Sequence, residues 1–267
     1  MSKENKETGN IKEMIVMNEL ENGVVSISIE RPEAYNALNE EVVLELAGII
    51  KHIKTLPNIR VVIFKSGKHF AAGGDIKEMV HFGKKEAKDY SFSPTFNMVA
   101  NLEVPTIASL RGYALGGGLE LALACDFRIA AMDAKMSFPE INIGIMPGAG
   151  GMLRAPSIIG VAKTKELAMM GTVIDGIEAE RIGLVNKSVP SEDLDFETLK
   201  WANVISSKAP VATKMIKKTI MECFEEPNIS KAYEMECENW SDLFLTNDQK
   251  EGMNSFIEKR QPIYSGK

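Results

Sequence analysis

Residues 112–126 read Gly-Tyr-Ala-Leu-Gly-Gly-Gly-Leu-Glu-Leu-Ala-Leu-Ala-Cys-Asp. Three consecutive glycines followed by an apolar run predict a tight turn that leads into a helix buried nearly all round. Glu120 falls in the first turn of this helix, and glutamate is almost never buried without a reason. A helix N-terminus also favours an acidic residue by itself, so this placement alone does not establish a chemical role.

Short strands alternate with helical stretches around this segment. Asn39 is a candidate N-cap for a helix from about 40 to 54, whose apolar residues recur at helical spacing. Strands separated by helices predict βαβ crossovers and a parallel sheet, and the fold class is therefore α/β. The predicted strands are 24–29, 61–64, 105–110 and 127–130.

The last third of the chain is predicted to be mostly helical. Helices are expected at 162–170, 179–182, 196–207, 210–225 and 228–245, and a last one, capped by Asp248, through about Glu258. Helices with little sheet to cover often pack on a neighbouring subunit. We expect a tail at 1–10, a core with the functional sites at 11–195, and a helical oligomerisation region at 196–267.

The composition is that of an ordinary soluble protein. The formal net charge of −6 argues against broad binding to nucleic acid or to anionic membranes. Cys125, Cys223 and Cys237 form no C-x-x-C pair, and Cys125 is expected to be a buried filler. The N-terminal residues do not resemble a secretory signal, no run of about 20 apolar residues occurs, and a reducing, cytoplasmic setting fits best.

Three glycine-rich stretches, 69–75, 111–120 and 144–151, mark candidate ligand loops. Two of them follow a strand, where open α/β sheets bind ligands, and paired N–H groups there could form an oxyanion hole. They fit no nucleotide-binding pattern, and no metal site is supported. Glu140 lies 20 residues after Glu120, again among apolar neighbours. Together the two acids predict paired carboxylates in one cleft.

At these residues the sequence resembles the crotonase, or enoyl-CoA hydratase/isomerase, superfamily, from about Ile15 to Tyr264. The resemblance implies a spiral of ββα units followed by a C-terminal helical trimerisation region, with trimers that commonly pair as hexamers. It further implies an acyl-CoA thioester substrate, no separate cofactor, and a place in fatty acid metabolism such as β-oxidation. The motifs that carry it are 31–38, 70–79, 112–126, 138–151 and 246–260.

The same resemblance assigns residues to roles. The N–H groups of Gly74 and Gly117 correspond to the oxyanion hole, and Glu120 and Glu140 to an acid/base pair that fixes a water. Gly74 stands where many relatives carry alanine or serine. The expected substrate and CoA contacts are Ala72, Asp75, Ile76, Lys77 and Gly148, with Phe256 and Lys259 reaching a neighbour's CoA.

The presence of both glutamates favours an enoyl-CoA hydratase. We assign Glu120 as the base and Glu140 as the acid, but carboxylates that share a proton leave the two roles partly interchangeable. The alternatives are a 3,2-enoyl-CoA isomerase or a hydratase of branched or aromatic acyl-CoAs. A third is RNA binding through a lysine-rich helix, for which the nearest segment, 83–89, carries acids among its bases.

Overall fold

The computed structural model describes residues 14–267, and the predicted tail at 1–10 lies outside them. The strands are β1 Ile15–Glu19, β2 Val24–Ile29, β3 Val61–Lys65, β4 Thr106–Leu110, β5 Tyr113–Leu115, β6 Phe127–Ala131, β7 Lys135–Ser137 and β8 Lys187–Val189. A six-stranded sheet in the order β1-β2-β3-β4-β6-β8 forms the centre. Only β1 runs antiparallel to its neighbour, and the other pairs are parallel.

The two remaining strands form a second, smaller layer. β5 pairs in parallel with β7, and Ala71 extends this layer by a bridge to Ala114. Each of β3, β4 and β6 is thus followed by a short extended segment in the second layer and then by a helix or helical turn. This repeat confirms the predicted α/β spiral of ββα units.

Helices cover the larger sheet. The helices are α1 Glu40–Ile53, α2 Ile76–Met79, α3 Lys84–Asp89, α4 Ser93–Ala100, α5 Gly117–Leu123, α6 Gly151–Met170, α7 Gly176–Arg181, α8 Leu194–Ser206, α9 Pro210–Glu225, α10 Ile229–Asp242 and α11 Asn247–Glu258. α1 packs against β1 and α4, and α8 packs against β3, β4 and β6. The apolar strands are therefore buried on both faces, as expected for a parallel sheet. None of the helices between residues 14 and 267 is long and apolar enough to cross a bilayer.

The first half of α6 and the cap of α11 were not predicted. The helix expected at 162–170 is the second half of α6, which breaks at the non-helical Gly160 (φ 76°), whereas Pro156 hides the first half, from Gly151, in the sequence pattern. The cap of α11 is Thr246, whose hydroxyl accepts from the N–H of Gln249, and not Asp248. The buried Asp248 carboxylate instead accepts N–H groups of the C-terminal segment.

The region predicted for oligomerisation contains helices of two kinds. α8 covers the sheet and belongs physically to the core. α9 carries four large apolar side chains, Ile216, Ile220, Met221 and Phe224, that are exposed in the single chain. The predicted boundary at residue 195 and the oligomerisation role itself stay predictions.

The N-cap of α1 provides a test of local stability. The buried Asn39 side chain accepts from the N–H of Val42 at 3.0 Å, as predicted. Asn39→Ala removes this acceptor, and we expect a loss of about 1 kcal/mol in the free energy of unfolding. The melting temperature, measured by differential scanning calorimetry, should fall by about 2–4 °C. Asn39→Ser keeps an acceptor and should recover most of the loss; equal losses in both variants would contradict the capping role.

Candidate active site

One cavity of about 440 Å³ opens where the glycine-rich loops meet. It brings together both predicted acids, Glu120 and Glu140, and both predicted oxyanion residues, Gly74 and Gly117. Three predicted substrate contacts, Ala72, Ile76 and Gly148, also lie on its wall. We refer to it below as the central cavity.

Glu120 is buried at the N-terminal end of α5, with 2% of its surface exposed. Its Oε1 accepts two backbone N–H groups, from Ala149 at 2.7 Å and from Gly151 at 2.8 Å. Burial raises the pKa of this carboxyl, while these hydrogen bonds and the charge of Arg154 oppose that rise. The ionised form of Glu120 therefore has specific partners even though it is out of water.

The loop at 148–151 has the backbone that this contact requires. Gly150 has φ of 102°, a conformation that other residues rarely adopt. A side chain at Gly151 would bring its Cβ within 2.9 Å of Glu120 Oε1. The loop is also tied to α4, because the Ser93 hydroxyl donates to the carbonyl of Gly148 at 3.0 Å.

The surroundings of Glu140 differ from those of Glu120. It belongs to a short 3₁₀ helix, Pro139–Ile143, and its Oε2 is buried with no hydrogen-bond partner within residues 14–267. Burial is the main cause that raises the pKa of Glu140 to about 7, and the charge of Glu120 adds to it. A carboxyl in this environment holds a proton more readily than an exposed one.

The two carboxyl groups therefore differ in environment while facing one space. Donors surround Glu120, whereas Glu140 is desolvated and lacks donors on Oε2. The negative charge of Glu120 disfavours ionisation of Glu140, and the donors on Glu120 favour placing the charge there. One ionised and one protonated carboxyl in a single cavity is the arrangement needed for simultaneous base and acid catalysis.

Two glycines from different loops, Gly74 and Gly117, line the same cavity. Gly117 is the first residue of α5, so its N–H has no acceptor within the helix. Within residues 14–267 the N–H of Gly74 also donates to no other backbone group. Phe92 lies close to the Cβ position of both glycines, which places the two residues around one apolar wall. Such a pair can hold an oxygen that gains negative charge.

The remaining predicted contacts are not all on the cavity wall. Asp75 is buried and pairs with Arg31 at 2.8 Å, and its side chain caps α2 through the N–H of Lys77. Burial would raise the pKa of Asp75, but these partners outweigh it and lower the pKa. Lys77 is exposed beside the mouth. Phe256 is 86% exposed and Lys259 ends α11, and neither lines the cavity of the single chain.

The apolar part of the wall is only partly predictable. The sequence from about Ile76 to Met98 offers Met79, Phe82, Phe92 and Phe96 as possible lining. Met79 and Phe92 are on the wall, whereas Phe96 is core and Phe82 packs on Tyr90. Tyr90 itself was missed, and its hydroxyl donates to the Glu78 carboxylate at 2.8 Å. The sequence signal for the rest was weak, since Ile143 ends the short 3₁₀ helix and Ile145 and Met146 lie in irregular backbone.

Other candidate chemical groups are engaged elsewhere. Cys125 is buried as predicted, and burial raises the pKa of its thiol to about 12. His69 stacks on Tyr113 and accepts from its N–H at 3.2 Å, away from the central cavity. Residues 14–267 contain no group of three or more His, Cys, Asp or Glu side chains that could hold a metal ion.

The geometry defines an acid/base enzyme on a ββα spiral, and comparison with known proteins gives its family. The enoyl-CoA hydratase/isomerase family model matches residues 19–267, so the chain belongs to this family. It is 42% identical to a probable enoyl-CoA hydratase of Mycobacterium bovis over 240 residues, covering 90% of this chain and 93% of the relative.

Two further relatives cover nearly the full length. A crotonyl-CoA hydratase of Syntrophomonas wolfei is 39% identical over 253 residues, 93% of this chain and 97% of the relative. A solved enoyl-CoA hydratase from Bacillus anthracis superposes with a TM-score of 0.92 at 37% identity, covering 96% of this chain and all of that one (100%). The predicted superfamily and fold are thereby confirmed.

The electrostatic coupling of the two carboxyls can be measured in the free protein. Glu120→Gln removes a negative charge near Glu140 but leaves Glu140 buried. We expect the pKa of Glu140 to fall from about 7 while staying above the ordinary glutamate value, because burial is the larger cause. Carbon-13 NMR titration of labelled glutamate side chains reports it. An unchanged or higher pKa for Glu140 in this variant would show that the carboxyls are uncoupled.

Proposed function

We propose that this protein is a 2-enoyl-CoA hydratase, which reversibly adds water in the syn sense to give a 3-hydroxyacyl-CoA. The observation that carries the proposal is the pair of carboxyls of unlike environment, Glu120 and Glu140, in one cavity. The names of relatives at about 40% identity, an enoyl-CoA hydratase and a crotonyl-CoA hydratase, support the same reaction.

Glu120 acts as the base in this proposal. Its Oε1 is occupied by the two loop amides, which leaves Oε2 to accept a hydrogen bond from a water and then its proton. The water, relieved of the proton, attacks the β-carbon of the enoyl group. The N–H of Gly148 faces the same space and is proposed to lie beside this water.

Glu140 acts as the acid, and the backbone supplies the electrostatic stabilisation. Attack at the β-carbon moves electrons toward the thioester oxygen, which the N–H groups of Gly74 and Gly117 are proposed to bind. One such donor lowers the barrier by roughly 3–4 kcal/mol. Glu140, protonated beforehand, then delivers its proton to the α-carbon. The reverse reaction uses the same groups in the opposite order.

The two-carboxyl arrangement favours hydration over the isomerase alternative. Moving a double bond requires one proton to leave one carbon and return to another, for which a single carboxylate suffices. Activating a water and protonating the α-carbon at the same time requires two groups. No described feature favours RNA binding, and the lysines of segment 83–89 remain interspersed with Glu86 and Asp89.

The substrate and its assembly extend this proposal. Ala72, Asp75, Ile76 and Lys77 are proposed to flank the CoA, which is part of the substrate, so no separate cofactor is needed. The free thiols fit a cytoplasmic location, and the proposed acyl-CoA substrate fits a role in β-oxidation. We also propose a homotrimer, alone or paired as a hexamer, in which the exposed Phe256 and Lys259 reach a neighbour's CoA.

The catalytic roles are tested by removing one charge at a time. Glu120→Gln and Glu140→Gln keep shape but lose proton transfer. We expect each to lower the rate of crotonyl-CoA hydration by ~10²-fold or more, with folding and CoA binding intact. Initial rates of hydration would be followed spectrophotometrically on a panel of 2-enoyl-CoAs, and a 3-enoyl-CoA tests isomerisation.

Glu103→Gln is the matched control, because that glutamate is exposed and pairs only with Lys214. It should retain the wild-type rate. If the wild-type protein converted the 3-enoyl-CoA but none of the 2-enoyl-CoAs, the isomerase alternative would replace the hydratase proposal. A near-normal hydration rate in either cavity variant would remove that glutamate from the mechanism.

The assembly proposal is tested on the apolar stripe of α9. Ile220 is 61% exposed and lies between Ile216 and Phe224 on one helix face. Ile220→Asp places a charge in the proposed interface, and sedimentation velocity should show a shift from trimer or hexamer toward monomer. Thr55→Asp, at an exposed position after α1, should leave the assembly unchanged. A wild-type monomer would contradict the proposal directly.

A further inference from the structure

Arg154 contacts the loop that holds Glu120, although it does not line the central cavity. It lies in the first turn of α6, where its Nη1 donates to the carbonyl of Ala149 at 3.2 Å. Its Nη2 donates to the Asn97 side chain on α4 at 2.6 Å. The guanidinium therefore bridges α4 and the 148–151 loop; the loop lines the cavity, as does Phe92, the residue that precedes α4.

Ala149 connects the Arg154 bridge to the Glu120 carboxylate. Its carbonyl accepts from Arg154, while its own N–H donates to Glu120 Oε1 at 2.7 Å. The next residue, Gly150, lies under the guanidinium, since a Cβ there would overlap an Arg154 nitrogen. Arg154, the loop and the Glu120 carboxylate thus form one continuous series of contacts.

We propose that Arg154 is a positioning residue, which fixes the 148–151 loop so that its N–H groups hold the Glu120 carboxylate ready to accept a proton. Asn97 orients the guanidinium in this arrangement. The inference rests on the proposed function, because it concerns the base of the hydration reaction. Arg154 itself touches neither substrate nor the reacting atoms.

The charge of Arg154 acts in the same direction as its hydrogen bonds. It lowers the pKa of Glu120 against the larger opposing effect of burial. Of the elements that pack on α5, α6 contributes Arg154 in its first turn, while β5 and α4 have no charged residue; the 139–143 turn contributes Glu140 to the same cavity. The Cys125 thiol nearby is neutral, since burial raises its pKa to about 12. Arg154 is therefore the cation that acts on Glu120.

Substituting Arg154 by lysine or by methionine separates the effect of its charge from the effect of its hydrogen-bond geometry. Arginine has a planar fork that bonds the Ala149 carbonyl and Asn97 together, whereas lysine supplies a single charged group. Methionine keeps much of the length and apolar stem but supplies neither charge nor donors. Asn97→Ala removes only the outer support. Arg181→Met is the matched control, because Arg181 is exposed and bonds only Glu178 on its own helix.

The experiment measures pH profiles of crotonyl-CoA hydration for each variant. For Arg154→Met we expect kcat to fall about 10-fold with KM within about twofold, since substrate contacts are retained. The acid limb of kcat/KM should move up by about one pH unit, because loss of the nearby cation raises the pKa of the base. Arg154→Lys should keep the acid limb in place but lower kcat, and Asn97→Ala should lower kcat by a few fold.

Hydrogen exchange provides a readout that does not need activity. The amides of Ala149 and Gly151 should exchange faster in Arg154→Met than in wild type or Arg181→Met. A lower melting temperature with an unmoved acid limb and unchanged amide exchange would make Arg154 merely structural and overturn the inference. If wild type hydrates no enoyl-CoA, the proposed function fails, yet the exchange rates still decide whether Arg154 fixes the loop.

Discussion

A carboxylate that leaves water loses several kcal/mol of solvation unless donors replace the water, and Glu120 is 2% exposed. Its replacements are backbone N–H groups of a distant loop, at 149 and 151. The architecture must therefore bring α5 and the start of α6 together. Gly118 permits the close approach on one side, because a Cβ there would overlap the Ala71 carbonyl, and the left-handed Gly150 shapes the loop on the other.

The same constraint explains why two similar side chains take different roles. Donors converge on Glu120 because it begins a helix facing a glycine loop, whereas Glu140 lies in a short 3₁₀ turn with one oxygen buried and unbonded. Solvation differs although the chemistry of the side chains is identical. The positions of the backbone N–H groups thus favour the charge on Glu120, while burial favours a proton on Glu140.

Long, uniform patterns made most of the fold predictable from the sequence. The buried strands β3, β4 and β6 and the apolar helix α5 are specified by local hydrophobicity, and the burial of Glu120 follows from its place in that helix. The three-residue strands β5 and β7 were not foreseen, because their pairing depends on neighbours distant in sequence. The link from Arg154 to Glu120 is equally non-local. It passes through the backbone carbonyl of Ala149, and because every residue has such a carbonyl, the sequence carries no signal for the contact.

The proposed active site divides into a part made within one chain and a part that faces outward. The two acids and the loops of Gly74 and Gly117 are held by the core, but Phe256 and Lys259 lie at the exposed end of α11. That end is nevertheless held firmly. Arg60 donates to the carbonyl of Tyr264 at 3.1 Å, and Asp248 accepts from Ser265 and Gly266. A tail attached to its own core at several points presents Phe256 in a defined position, and a defined position is what a contact with a neighbouring subunit's substrate would require.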